Sequence, residues 1–125
     1  MAQRLRVGKA LDQLGLTFVQ AHALRTLEPR HPLPMSTLAE LLLCDASNVT
    51  GIADRLEARG LIERRTATGD RRVKTLALTR KGVALRGRAL EIMSEPPAPI
   101  AALSVADQRL LRDVLRRAVE LLRSE

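Results

Sequence analysis

Two helix-length segments joined by a tight link and followed at once by a short two-stranded hairpin leave few architectures for residues 35–79. "MSTLAELLLC" reads as the first helix, with Ser36 as its cap, Thr37-Leu38-Ala39-Glu40 at capping-box spacing, and Leu38, Leu41 and Leu42 as its buried stripe. Cys44-Asp45 is the link. Asp45 or Ser47 can cap the second helix, "DASNVTGIADRLEARG", and Gly60 ends it as a C′ glycine would. "LIERR" and "RVKTLALT" then flank the turn-forming string Thr66-Ala67-Thr68-Gly69-Asp70, with Lys74, Leu76 and Leu78 alternating against Val73, Thr75 and Ala77. Helix, turn, helix and hairpin in this order describe a helix-turn-helix with a wing.

Helices flank that unit. Residues 4–14 place Leu5, Val7, Leu11 and Leu14 at helical spacing, and "LTFVQAHALRTLE" is a helix capped by Thr17 with Phe18, Ala21, Leu24 and Leu27 along its stripe. "PRHPLP" breaks the chain, because its three prolines cannot continue a helix. Thr79 caps a further helix to about Glu95, stopped by Pro96-Pro97. The last helix opens with Ser104-Val105-Ala106-Asp107 and carries Leu111, Val114, Leu115, Ala118, Leu121 and Leu122 as a long apolar seam. In a chain of 125 residues with so extended a helix layout, that seam suits a dimer contact better than an internal core stripe. The expected fold is mainly α with a small β wing. Residues 16–84 form the winged lobe, and residues 1–15 and 85–125 form a helical dimerisation region that includes Leu5 and Leu11.

Charge is concentrated on the hairpin and its neighbours. The chain carries +7 overall, yet residues 55–88 hold eleven basic residues against three acidic ones, a local +8. Such a field points to a polyanion. Single-stranded nucleic acid is a poor match, since the chain has no Trp or Tyr and one Phe to stack bases on. An anionic membrane surface would need apolar bulk beside the charge, which residues 61–75 lack. No stretch approaches the ~20 apolar residues of a membrane span. No signal peptide is legible, and one Cys excludes an internal disulfide framework, so a cytoplasmic protein is expected.

The second helix has a face suited to duplex DNA. At about 100° per residue, Val49, Ile52, Ala53 and Leu56 gather on one side. Ser47, Gly51, Asp54 and Ala58 lie opposite, flanked by Asn48, Thr50 and Arg55. Small residues let a helix sink into the major groove, where Asn, Thr and Arg reach base edges or phosphates. Asp54 is ill placed near phosphates and is expected to pair with an Arg. The expected DNA-binding set is Ser36, Ser47, Asn48, Thr50, Gly51, Arg55, Arg64, Arg71, Arg72 and Lys74, with Gly69 and Asp70 shaping the wing turn.

These residues resemble the MarR family of bacterial transcriptional regulators. The resemblance runs from Leu16-Thr17 to about Leu85 and rests on "LAELL", "DASNVTGIADRLEARGLIERR", "GDRRVKTLALT" and "RKG" in that order. It implies a homodimer with intertwined terminal helices and two winged lobes astride adjacent turns of DNA. Ser47 to Arg55 match the recognition helix, and Asp70-Arg71-Arg72 match the wing motif, with an Arg reaching the minor groove. It further implies a repressor of a pseudo-palindromic operator, released by a small-molecule effector or an oxidant. Fifteen residues precede Leu16, fewer than the family's first dimerisation helix usually has. Either the start is truncated or the dimer leans on the Ser104–Glu125 helix.

Other chemistry is thin. Cys44 fits a small packing residue better than a redox switch, since an acidic neighbour disfavours the thiolate. His22 and His31 have no companion ligands for zinc, so no metal and no cofactor are expected. His22, with Arg25, is a candidate lining for an effector pocket. Nothing resembles a nucleophile with its base or a phosphate loop, so the chain is not read as an enzyme. The rival reading is a winged-helix protein-interaction module that docks an acidic partner.

Overall fold

A computed structural model describes residues 2–67 and 69–124. Thr68 of the expected turn and Glu125 of the last expected helix lie outside the described residues. The chain forms two compact units, Met1–Ser94 and Glu95–Glu125. The first contains α1 (Ala2–Gln13), α2 (Phe18–Thr26), β1 (Leu33–Pro34), α3 (Met35–Leu42), α4 (Ala46–Ala58), β2 (Ile62–Ala67), β3 (Asp70–Leu78) and α5 (Arg80–Met93).

Side-chain caps set most of the helix starts. Thr17 Oγ1 accepts from Gln20 N at 3.1 Å while Gln20 Oε1 accepts from Thr17 N at 3.2 Å, a reciprocal box. Asp45 accepts from Asn48 N ahead of α4, and Thr79 from Gly82 N ahead of α5. α3 departs from the expectation. Pro34, with φ near −59°, precedes the first helical residue, no side chain caps the helix, and Ser36 falls within its first turn.

"PRHPLP" does more than break the chain. Leu33 and Pro34 pair antiparallel with Leu76 and Thr75, so the wing belongs to a three-stranded sheet of order β1-β3-β2. Pro34 is tolerated because β1 is an edge strand. β2 and β3 pair from Ile62↔Leu78 outward to Thr66↔Lys74, with an irregularity before Ala67.

The core is aliphatic. Leu11, Leu16, Leu24, Leu27, Leu38, Leu56, Leu61 and Leu76 are buried, and α4 inserts Val49, Ile52, Ala53 and Leu56 on the expected side. Leu41 does not share the buried stripe of α3, which uses Leu38 and Ala39 instead. Leu11 also needs correcting. It is fully buried within its own unit, where α1 packs on α2 and α5, and so has no surface to offer a second copy. Leu5 is exposed.

Gly60 and Gly82 each hold a geometry that a side chain would oppose. Gly60 ends α4 with φ +72°. Gly82 lets α5 press against the turn after α4, where a Cβ would collide with the Leu61 carbonyl.

The second unit contains α6 (Ala98–Ala101) and α7 (Val105–Arg123), with Ser104 Oγ accepting from Asp107 N at the start of α7. The four-residue α6 was not anticipated from the prolines before it. α7 buries no side chain. Val114, Leu115, Leu121 and Leu122 are all exposed, and Leu111 is half-buried.

Candidate nucleic-acid interface

α4 presents the small polar face that its spacing suggests. Ser47, Asn48, Thr50, Asp54 and Arg55 are exposed, and a Cβ on Gly51 would meet nothing within 4 Å. The first turn is fixed by local bonds. Ser47 Oγ donates to Asp45 Oδ1 at 2.8 Å, the same oxygen that accepts from Asn48 N at 2.9 Å. These bonds hold the Asp45 carboxyl below its ordinary range, the Asn48 backbone bond contributing most. Thr50 Oγ1 donates to Ala46 O at 2.8 Å, which leaves its methyl as the freer edge.

The wing turn is set by Asp70, whose Oδ1 accepts from Arg72 N at 2.9 Å, and by Gly69 at φ +88°. Arg71, Arg72 and Lys74 are exposed. Lys74 Nζ reaches Thr66 Oγ1 at 3.3 Å across the hairpin. The Arg55, Arg71 and Arg72 side chains have no ion-pair or hydrogen-bond partner among the described residues.

Five other cations of the basic window, Arg59, Arg64, Arg65, Lys81 and Arg86, are already engaged. Arg64 donates to Asp54 Oδ1 at 2.6 Å and Glu57 Oε1 at 2.8 Å, tying β2 to α4. Bonding to Asp54 above all raises its already high pKa further. Asp54 thus pairs with an Arg, as its position suggested. Arg64, expected in the DNA-binding set, is here held between two carboxylates as a clamp from β2 to α4. Arg65 pairs with Glu63.

Arg59 donates to Gly15 O at 2.6 Å and Leu14 O at 3.1 Å, and Lys81 donates to Arg59 O at 3.0 Å. Arg86 donates to Leu24 O and Arg25 O at the end of α2. These staples were missed in the sequence. Their partners are carbonyls up to 62 residues away, and backbone acceptors leave no residue-type signal.

A groove of about 920 Å³ runs between α2 and α4, with Phe18, His22, Cys44, Asn48, Ile52 and Arg55 among its walls. His22 is among these walls and Arg25 is not, although Arg25 Nη2 lies 3.0 Å from His22 Nδ1. Burial first and Arg25 second push the His22 pKa below its usual value. Cys44 is a half-buried free thiol. Among the described residues no His, Cys, Asp or Glu cluster could hold a metal ion, and no helix is long and apolar enough to cross a membrane. Ser36 is exposed on α3, with no side-chain hydrogen bond to the α4 set among the described residues.

Known proteins share this fold. The MarR family model matches residues 16–74. The organic hydroperoxide resistance transcriptional regulator of Bacillus subtilis strain 168 is 33% identical over 94 residues, covering 75% of this chain and 61% of that regulator. Across three such curated relatives the chain spans 43% to 61% of their length. The crystal structure of a probable transcriptional regulator from Pseudomonas aeruginosa superposes with TM-score 0.66 at 31% identity, covering 94% of this chain and 91% of that one. A crystal structure of MarR superposes with TM-score 0.82 at 26% identity, covering 98% and 85% respectively. These relatives are transcriptional regulators rather than enzymes. The chain belongs to the MarR family.

Proposed function

We propose that the chain is a sequence-specific regulator of transcription that binds double-stranded DNA, α4 reading the major groove and the β2–β3 wing tracking the backbone beside it. The observation that carries this reading is the division of labour among the cations. Arg59, Arg64, Arg65 and Arg86 are engaged by carbonyls or carboxylates of the chain itself, whereas Arg55, Arg71 and Arg72 have no partner among the described residues and stand around a face of small polar side chains.

The regulator acts as a homodimer on a pseudo-palindromic operator, in the cytoplasm, and represses. Support for the dimer comes from α7, whose apolar side chains are exposed along its length. Half-sites then lie about 34–36 Å apart, one turn of DNA. The groove beside α4 supports control by a small effector, since an occupant would touch Asn48 and Arg55 directly.

The test is fluorescence anisotropy with labelled duplex DNA across a salt series. Arg71→Ala with Arg72→Ala lowers affinity on all sequences and flattens the log–log salt slope by about 2. Arg59→Ala lowers stability and leaves the slope of the remaining folded protein unchanged. Equal slopes for the wing variant and the parent protein sink the assignment.

A further inference from the structure

Leu43 is placed where a leucine is costly. It is the C-cap of α3 with φ 54° and ψ 41°, in the left-handed region that glycine or asparagine occupies more easily. Its backbone N–H completes the helix end by donating to Glu40 O at 3.1 Å, a bond any residue but proline would supply. The side chain is 93% exposed, the most exposed large apolar group among the described residues. Strain and exposure therefore add up without a compensating contact inside the protein.

Its place in the fold says what would compensate them. Leu43 stands two residues ahead of Asp45, the cap of α4, and so at the end of α4 that carries Ser47 and Asn48. In a helix-turn-helix the N-terminal residues of the second helix meet base edges, so the turn before them borders the groove. Ala46 and Ser47 are small and exposed, which keeps that approach open. Of the groups that base pairs present in the major groove, the apolar one is the 5-methyl of thymine.

We propose that Leu43 is a specificity-determining residue whose side chain packs on a thymine methyl at the edge of the sequence read by Ser47 and Asn48. The proposal rests on the regulator reading above and adds a base preference to it.

The experiment compares the parent protein with Leu43→Gly on two labelled duplexes of the region upstream of its own gene. One is natural, and in the other uracil replaces thymine and so removes only the methyl groups. Relief of the left-handed strain raises the melting temperature of the variant by about 3 °C. Binding to the natural duplex weakens about fivefold to tenfold, the low end of a base contact. The parent protein loses a similar factor on the uracil duplex, whereas the variant binds the two alike. Leu43→Asn, which also tolerates the left-handed region, behaves as the glycine variant does and separates the lost contact from added backbone freedom.

Undiminished affinity in both variants overturns the proposal, as does an equal uracil penalty in parent and variant. A change of oligomeric state in sedimentation overturns it too, since Leu43 would then belong to a protein contact. If the parent protein binds no duplex at all, the regulator reading itself fails. Parent binding with an indifferent variant removes only the role of Leu43.

Discussion

Arg64 Nη2 lies 2.6 Å from Asp54 Oδ1, and through this contact the base of the wing is fixed to the exposed side of α4. Glu57, one turn further along α4, takes the other guanidinium nitrogen at 2.8 Å. A planar fork held by two carboxylates restricts rotation of the hairpin about the helix. The two proposed DNA-contacting elements are thereby presented as one surface.

Arg64→Ala should destabilise the fold by about 1 kcal/mol at low salt, a modest figure because both carboxylates stay partly exposed. Arg64→Lys should recover only part of the loss, since an ammonium cannot grip both carboxylates in one plane. Urea unfolding at low salt and again near 1 M NaCl checks this, with the difference shrinking as salt screens the pairs. A variant as stable as the parent at low salt would show that the clamp carries no energy.

Gly82→Ala should cost about 3 kcal/mol or more, because the new methyl must displace the Leu61 backbone rather than a flexible side chain. Gly87 is the control on the same helix, with open space around its missing Cβ. There, alanine should stabilise through helix propensity. Thermal melts of the two variants should move in opposite directions.

Much of the lobe was legible because its signals are local. Thr17, Asp45 and Thr79 cap helices through partners three residues away, and Val49, Ile52, Ala53 and Leu56 betray the buried side of α4 by spacing alone. What escaped depends on distant chain. β1 has two residues, too few to alternate, and exists only because Leu76 and Thr75 are there to pair with it. Ser36 looks like a cap in isolation, but the fixed φ of Pro34 starts the helix earlier. Leu11 reads as a seam residue until α2 and α5 close over it. Among the candidate site residues, composition could not separate the free arginines from the engaged ones. Arg64 and Arg72 differ only in what folding brings beside them.

Asp45 links acid stability to the start of α4. Its carboxyl is held low by bonds from Asn48 and Ser47, so the stabilisation is present above the unfolded value near 3.8 and is lost as pH falls through the lower folded value. Asp45→Asn keeps an acceptor and should flatten this acid limb, while Asp45→Ala should weaken the helix start at every pH. Unfolding free energies from pH 2 to 6 discriminate the three proteins.

His22 works in the opposite charge sense. The folded state favours the neutral ring, so the unfolded chain takes up a proton first as pH falls below 6.5. The contribution of His22 is complete above that value and declines as pH drops towards the lower folded pKa. NMR titration of the His22 ring should give a midpoint below 6.5. Arg25→Ala should move it part of the way back, because burial is the larger cause. A midpoint that ignores Arg25 would contradict the pairing.

The central claim is that α4 and the wing together read a DNA sequence. Its most direct test is the affinity of the 125-residue chain, at physiological salt, for a labelled duplex from the region upstream of its own gene. A scrambled duplex of equal length is the control. The account predicts a preference of about 10³-fold or more for the natural sequence. Weak and equal binding to both duplexes, with a steep loss as salt rises, would reduce the surface to a nonspecific basic patch and contradict it.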